Sequence, residues 1–231
     1  MTGIIKPAKG ARRIKDIAPD WLAALNSGAA ESRTLVEGLA VNFGVLLRAC
    51  CPMLPRETIQ TIALEPKITR RMALLGQGIA LHTTPEVFAA HPSDTLRGGA
   101  AYAIAALPLT LAEKLNRLRP LADDPHFGVR EWAWLALRPA LMADTDKALQ
   151  LLTPWAEDTA PNIRRFASEA TRPRGVWCAH WPDLKKEPWR AEPLLKPLLR
   201  SETHPYVKAS VRNWLNDAAK SQPEWVAALR T

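Results

Sequence analysis

The chain has 231 residues, 47% of them hydrophobic, with 31 Lys plus Arg against 23 Asp plus Glu and a formal net charge of +8. That apolar fraction supports a sizeable core. No apolar run approaches a membrane span, and the opening MTGIIKPAKGARRIK lacks the apolar centre of a signal peptide, so a cytoplasmic protein with no membrane partner is expected. The basic balance favours an anionic partner.

Residues 1–19 are basic and poorly patterned, with Lys9, Arg12, Arg13 and Lys15, and are expected to form a loose arm. Residues 20–231 are expected to form a single domain. Helical periodicity starts near Trp21 and continues over 31–50, where Leu35, Leu39, Phe43, Leu46 and Leu47 fall on one stripe. A helix follows over 67–81, then a short one between Thr84-Pro85 and His91-Pro92. Ser93 and Asp94 offer an N-cap to a helix over 95–107, whose Gly98-Gly99 pair suits close backbone packing. Further helices are predicted over 110–121, 128–141, 145–155, 162–171, 191–199, 206–220 and 224–230. No alternating strand pattern is present. The long irregular stretch 172–190 carries Pro173, Pro182 and Pro188 beside Trp177, Trp181 and Trp189. A loop this long is functional or a packed connection between repeats.

A fragment recurs three times along this series. It reads LRPLADDPHFGVREWAW from Leu118, LTPWAEDTAPNIRRFAS from Leu152 and LKPLLRSETHPYVKASV from Leu195. Each copy runs from Pro120, Pro154 or Pro197 through a polar turn to an apolar opener, Val129, Ile163 or Val207. The openers lie nine, nine and ten residues after the prolines and 34 and 44 residues from one another. That period, with two helices per unit, predicts an all-α, HEAT-like or armadillo-type superhelix of about six helical hairpins with a concave binding face.

On the helix opened by Ile163, the residues Ile163, Phe166, Ala167 and Ala170 can face the core, while Arg165, Glu169 and Arg172 share another face. Arginine offers a bidentate fork suited to phosphate. Arg130, Arg164 and Lys208 recur at the starts of the copies, and Arg172, Arg174 and Trp177 follow the second. Together they suggest a cationic binding face; the alternative is an ordinary Arg165–Glu169 surface pair. HExxH, Walker A, GxGxxG and GxSxG motifs are absent, and Cys50, Cys51, Cys178 and the scattered histidines have neither disulfide nor zinc spacing. No metal or cofactor is expected.

The stretch NIRRFASEATRPRGVW, 162–177, resembles the VRRLASEGTRPRLPW-type motif of the AlkC branch of the AlkC/AlkD HEAT-like DNA glycosylases. YVKASVRNWLNDAAKSQP, 206–223, resembles that branch's YVRRSVANNLNDIAKDHP-type segment, and Arg138-Pro139 matches an Arg-Pro pair ahead of both. The likeness covers 129–226. It implies DNA alkylation repair: a glycosylase of base excision repair that hydrolyses the N-glycosidic bond of cationic alkylated bases in double-stranded DNA, acting as a monomer. By the same resemblance Arg165 would hold phosphate, Trp177 would press on the deoxyribose or lesion, and Asp217 would be the catalytic carboxylate. Arg164, Arg172, Arg174, Lys208, Arg212, Trp134 and Trp214 would contribute DNA contacts. One departure matters. The branch's SEFAxRP-type segment has an acid four residues before its Arg, where this chain has Trp134; Glu131, a helical turn away, is the substitute candidate. Trp132 and Trp134 cannot both face the core; Trp134 is expected on the binding face, the alternative being a core role for it. The alternatives are a non-catalytic DNA-binding relative that recognises damaged or unusual DNA, and a protein-interaction scaffold.

Overall fold

The computed structural model describes residues 9–229, which are helices and turns with no strand among them. They divide into two compact units, one ending at Ala103 and one beginning at Ile104.

The first unit contains α1 (Pro19–Asn26), α2 (Leu35–Ala40), α3 (Phe43–Cys50), α4 (Arg56–Leu64), α5 (Ile68–His82), α6 (Glu86–Ala89) and the greater part of α7 (Asp94–Ala106). Its basic leader is tied down from Ala11 onward. The Ala11 N–H donates to Glu37 Oε1 at 2.7 Å, its carbonyl accepts from Thr34 Oγ1 at 2.7 Å, and Ile17 is buried. Burial raises the Glu37 carboxyl, but the N–H groups of Ala11 and Arg33 outweigh this and hold it below the ordinary range. The helix predicted over 31–50 is broken in two. Asn42 caps α3 by accepting from the Val45 N–H at 3.1 Å, so Leu35 and Leu39 end up exposed while Phe43, Leu46 and Leu47 are buried. Glycine sets the approach of α5 to α7: a Cβ on Gly76 would lie 2.4 Å from the Tyr102 Cβ, and one on Gly99 2.8 Å from Leu75 Cδ2.

The second unit contains α8 (Leu111–Ala122), α9 (Phe127–Met142), α10 (Thr145–Leu152), α11 (Pro161–Ala170), α12 (Pro182–Lys186), α13 (Glu192–Ser201), α14 (Pro205–Ala219) and α15 (Pro223–Leu229). Helical hairpins form from α8 with α9 and α13 with α14, and α11 packs against the 3-10 turn Thr153–Glu157 that continues α10. The second helices lie side by side, α9 against α11 and α11 against α14. Val129, Ile163, Phe166 and Val207 are buried as the repeat pattern requires.

The arginine after each opener has a role that the sequence does not announce. Arg130 Nη1 reaches back to the carbonyls of Asp124 and Pro125 at 2.6 and 2.8 Å, and Arg164 Nη1 to those of Asp158 and Thr159 at 2.7 and 3.0 Å. The same contact occurs at Arg97, whose Nη1 meets the carbonyls of His91 and Pro92 at 2.7 and 3.1 Å. The segment from Phe88 to Arg97 is therefore an earlier copy of the repeated turn. In each case one guanidinium satisfies the carbonyls six and five residues before it and fixes the turn that launches the helix. These cations are clamps rather than a stack of phosphate ligands, which corrects the role expected of Arg164. Its Nε and Nη2 are taken by Glu202. In the last copy the position is Lys208, which lacks the fork.

Glu202 Oε1 also accepts the His204 N–H at 2.7 Å. The Arg164 hydrogen bond holds its carboxyl below the ordinary range. Such a group stabilises fully above the ordinary carboxylate pKa and loses that contribution as pH falls through its lowered value. We expect Glu202→Gln to cost about 2 kcal/mol at neutral pH, read by urea unfolding, and the gap from the parent to close on acidification. A gap independent of pH would show that the charge pair does not stabilise the turn.

Candidate nucleic-acid interface

A file of alternating charges crosses the three side-by-side helices. Glu131 of α9 accepts from Arg165 of α11 at 2.6 Å. Arg165 lies 3.6 Å from Glu169, and Glu169 3.2 Å from Arg172. Arg172 reaches Asp217 of α14 at 2.8 Å, and Asp217 meets Lys220 at 3.2 Å. Helical geometry produces the file: Arg165 and Glu169 are four apart on α11, and Arg172 follows at its end. Glu169 and Asp217 are buried, whereas the Glu131 side chain keeps 34% of its surface. Burial lowers the Arg172 pKa, but Glu169 and Asp217 on either side carry it above its usual value. The Arg165 guanidinium also lies 4.3 Å over the Tyr206 ring, with Arg130 at 5.2 Å from the same ring.

A pair of aromatic side chains involves Trp132, the residue after Glu131 on α9. Trp132 and Trp177 stack at 6.3 Å, and Trp177 is 47% exposed. Trp177 adopts φ 61°, and no other non-glycine among the described residues has positive φ. It sits in the proline-rich loop, which is mostly irregular apart from short α12 and one 3-10 turn.

The structure brings Glu131, Arg165, Arg172 and Asp217 together, with Trp177 beside Trp132, a neighbour of Glu131 in sequence. Four expectations are corrected. Trp214 is fully buried, with its indole N–H on the Thr171 carbonyl and hydroxyl at 3.1 and 3.2 Å; it is core. Trp134 is also buried, and its Nε1 donates to Glu131 Oε2 at 2.8 Å. The surface indole of this pair is Trp132, half-buried against Trp177, because a two-residue step turns the helix by well over a right angle. Lys208 and Arg212 line a groove with Leu198 and Leu199, on the side of α14 away from Tyr206 and Asp217. Asp217 is buried with each oxygen in an ion pair, so it is not poised to meet a substrate. Arg174 is held by Ser221 Oγ at 2.7 Å. Glu169, Tyr206 and Trp132 were not singled out as site residues. The i, i+4 spacing of Arg165 and Glu169 was visible in the sequence, but only the neighbouring helices turn it into a file. Among the described residues no three His, Cys, Asp or Glu converge as metal ligands, and no helix is long and apolar enough to cross a membrane.

The fold is that of the AlkC/AlkD type, built from HEAT-like repeats: a HEAT-repeat family model matches residues 86–171. The chain is similar to the Pseudomonas fluorescens alkylpurine DNA glycosylase AlkC, solved bound to DNA containing an abasic site analog, with a TM-score of 0.56 and 24% identity over 81% of this chain and 54% of that one. It is also similar to the uncharacterized protein YhaZ of Bacillus subtilis (strain 168), at 41% identity over 88 residues, 38% of this chain and 24% of YhaZ. The chain thus spans about a quarter of the curated relative that it matches and about half of the solved AlkC chain.

The left-handed backbone at Trp177 costs an L-residue about 1–2 kcal/mol that glycine avoids, and the exposed indole forgoes little burial on removal. We expect Trp177→Gly to leave the melting temperature unchanged or raised. A fall of several degrees would mark the indole as a core residue.

Proposed function

We propose that the chain is a DNA-alkylbase glycosylase of alkylation repair, hydrolysing the N-glycosidic bond of cationic alkylated bases in duplex DNA, and that Glu131 is its reactive carboxylate. The observation that carries this reading is the partly exposed Glu131, fixed by Trp134 and Arg165, with the next residue, Trp132, stacked on Trp177. The likeness in fold to AlkC supports it.

An alkylated purine already bears positive charge. When the bond to the sugar breaks, its electron pair neutralises the base and leaves an oxocarbenium-like sugar. Water then adds to that carbon and gives up a proton. A carboxylate serves both demands: it stabilises the developing cation and accepts the proton. Glu131 keeps a lone pair on each oxygen after its bonds to Trp134 and Arg165. The indole faces of Trp132 and Trp177 attract a cation at short range. Asp217 and Glu169 then act indirectly, holding Arg172 and Arg165 and leaving the file balanced in charge. Trp134 occupies the place of the acid in the resembling motif, and its N–H fixes the acid one turn earlier.

The second reading is a non-catalytic DNA-binding relative; complete pairing of Asp217 and Glu169 favours it. Release of free base from DNA carrying 3-methyladenine or 7-methylguanine decides between them. We expect Glu131→Gln to lower that release by at least about a hundredfold, the usual scale for a positioned acid or base, while salt-dependent duplex binding persists. Binding without release by the parent protein would favour the second reading.

A further inference from the structure

Arg138 is among the largest fully buried side chains of the protein, at 1% exposure. Among the described residues no carboxylate is seen in a direct ion pair with it. Its guanidinium is instead surrounded by backbone oxygens: Nη1 donates to the Ala170 carbonyl at 2.9 Å, Nη2 to those of Arg172 and Ala179 at 2.7 and 3.2 Å, and Nε to Ala179 at 3.3 Å. These acceptors stand at the two ends of one excursion of the chain. Ala170 and Arg172 close α11, and Ala179 follows Trp177 by two residues. The Trp181 N–H closes the same excursion on the Pro173 carbonyl at 2.9 Å. Arg138 lies 5.3 Å over the buried Trp181 ring, so one face of the cation is covered by an indole.

The backbone inside the excursion is under constraint. Trp177 holds the left-handed conformation, at φ 61°, with about half of its surface in solvent. A β-carbon on Gly175 would lie 2.6 Å from Cys178 Sγ and 3.5 Å from Arg138 Cζ, so the loop is packed directly onto the guanidinium. A non-glycine residue persists in this conformation only where its surroundings over-determine it. The Trp177 ring stacks on Trp132, and the main chain on either side of it is tied to Arg138. Burial pulls the Arg138 pKa below its ordinary value, yet a guanidinium remains protonated in proteins, and its donors are therefore all available to the loop.

We propose that Arg138 is a positioning residue: its buried guanidinium ties together both ends of the 170–179 loop and thereby holds Trp177 in its left-handed conformation against Trp132. The consequence for DNA affinity rests on the function proposed above; the consequence for the loop does not. Lysine at this position keeps the charge but cannot span the three carbonyls.

The test uses the full chain with Arg138→Lys, Trp177→Ala, Trp177→Gly and the double variants. Trypsin cleavage after Arg174 is expected to accelerate at least tenfold in Arg138→Lys, with the far-ultraviolet circular dichroism unchanged. Cleavage at the parental rate would overturn the proposal. Duplex affinity, measured by anisotropy on a duplex with an abasic-site analogue, is expected to fall in Arg138→Lys and in Trp177→Ala, with the double variant no weaker than Trp177→Ala alone. Multiplicative losses would show that Arg138 acts other than through Trp177. Should Trp177→Ala bind like the parent, the DNA reading fails, and the cleavage rate still decides the positioning role. Should Arg138→Lys be too unstable to assay, the Trp177→Gly background is expected to restore a cooperative melt, because glycine takes the left-handed conformation without the clamp. No recovery there would overturn the proposal.

Discussion

The contact on which the repeats depend is an arginine folded back over its own turn. Arg97, Arg130 and Arg164 each follow a buried apolar opener, and each satisfies two carbonyls of the turn before its helix. A turn between packed helices leaves carbonyls without helical partners, and leaving them buried and unmet is costly. One guanidinium meets two of them at once and sets the angle at which the helix departs. Because Arg130 and Arg164 use the same device, α9 and α11 leave their turns in the same sense and lie side by side, and α14 packs on the far side of α11. Local backbone chemistry thereby sets the long-range register. The last copy has Lys208, and there Glu202 closes the turn on the His204 N–H while also binding the Arg164 clamp of the preceding copy.

That register is what allows charge into the interior. Taking a single ion out of water costs several kcal/mol, and removing one member of a buried pair about 3–5 kcal/mol. Glu169 and Asp217 are tolerated because Arg165, Arg172 and Lys220 alternate with them. Consequently, the arginines of the file are largely occupied by carboxylates. The net charge of +8 therefore expresses itself at cations outside the file, such as exposed Lys208 and Arg212.

Much of this architecture was legible in the sequence. Opener spacing and helical periodicity give the all-helical repeat fold and the buried Val129, Ile163, Phe166 and Val207, because burial follows a period that sequence carries directly. The break at Asn42 was missed because an unbroken apolar stripe hides a cap whose hydrogen bond is made locally. The copy around Arg97 was missed because His91-Pro92-Ser93 shares only its proline with Asp124-Pro125-His126. The cations were over-read for a related reason: composition does not distinguish an arginine facing solvent from one facing carbonyls. The two indoles of α9 were exchanged because a two-residue offset fixes that they diverge, not which of them turns inward. Of the partners that decide it, Glu131 lies on α9 itself but is held by Arg165 of α11, and Trp177 is placed by the loop after α11.

Equivalent positions of neighbouring copies come to lie beside one another, so the residue after each clamp has a predictable neighbour. Glu131 follows Arg130 and Arg165 follows Arg164; these two meet at 2.6 Å. In the last copy the same position is Ala209, so the ladder of opposite charges stops there and the file continues through Arg172 to Asp217 instead. One copy supplies the carboxylate, the next the guanidinium that orients it, and the loop after that second copy supplies the indole. The repeated part of the sequence thus builds the frame, and departures from the repeat build the site. Both tryptophans at its edge illustrate this: Trp132 belongs to one copy alone, and Trp177 stands on the irregular loop that follows the second. A repeat identical in every copy would have the clamps and the core, but it could not place an acid against a cation at equivalent positions of neighbouring copies.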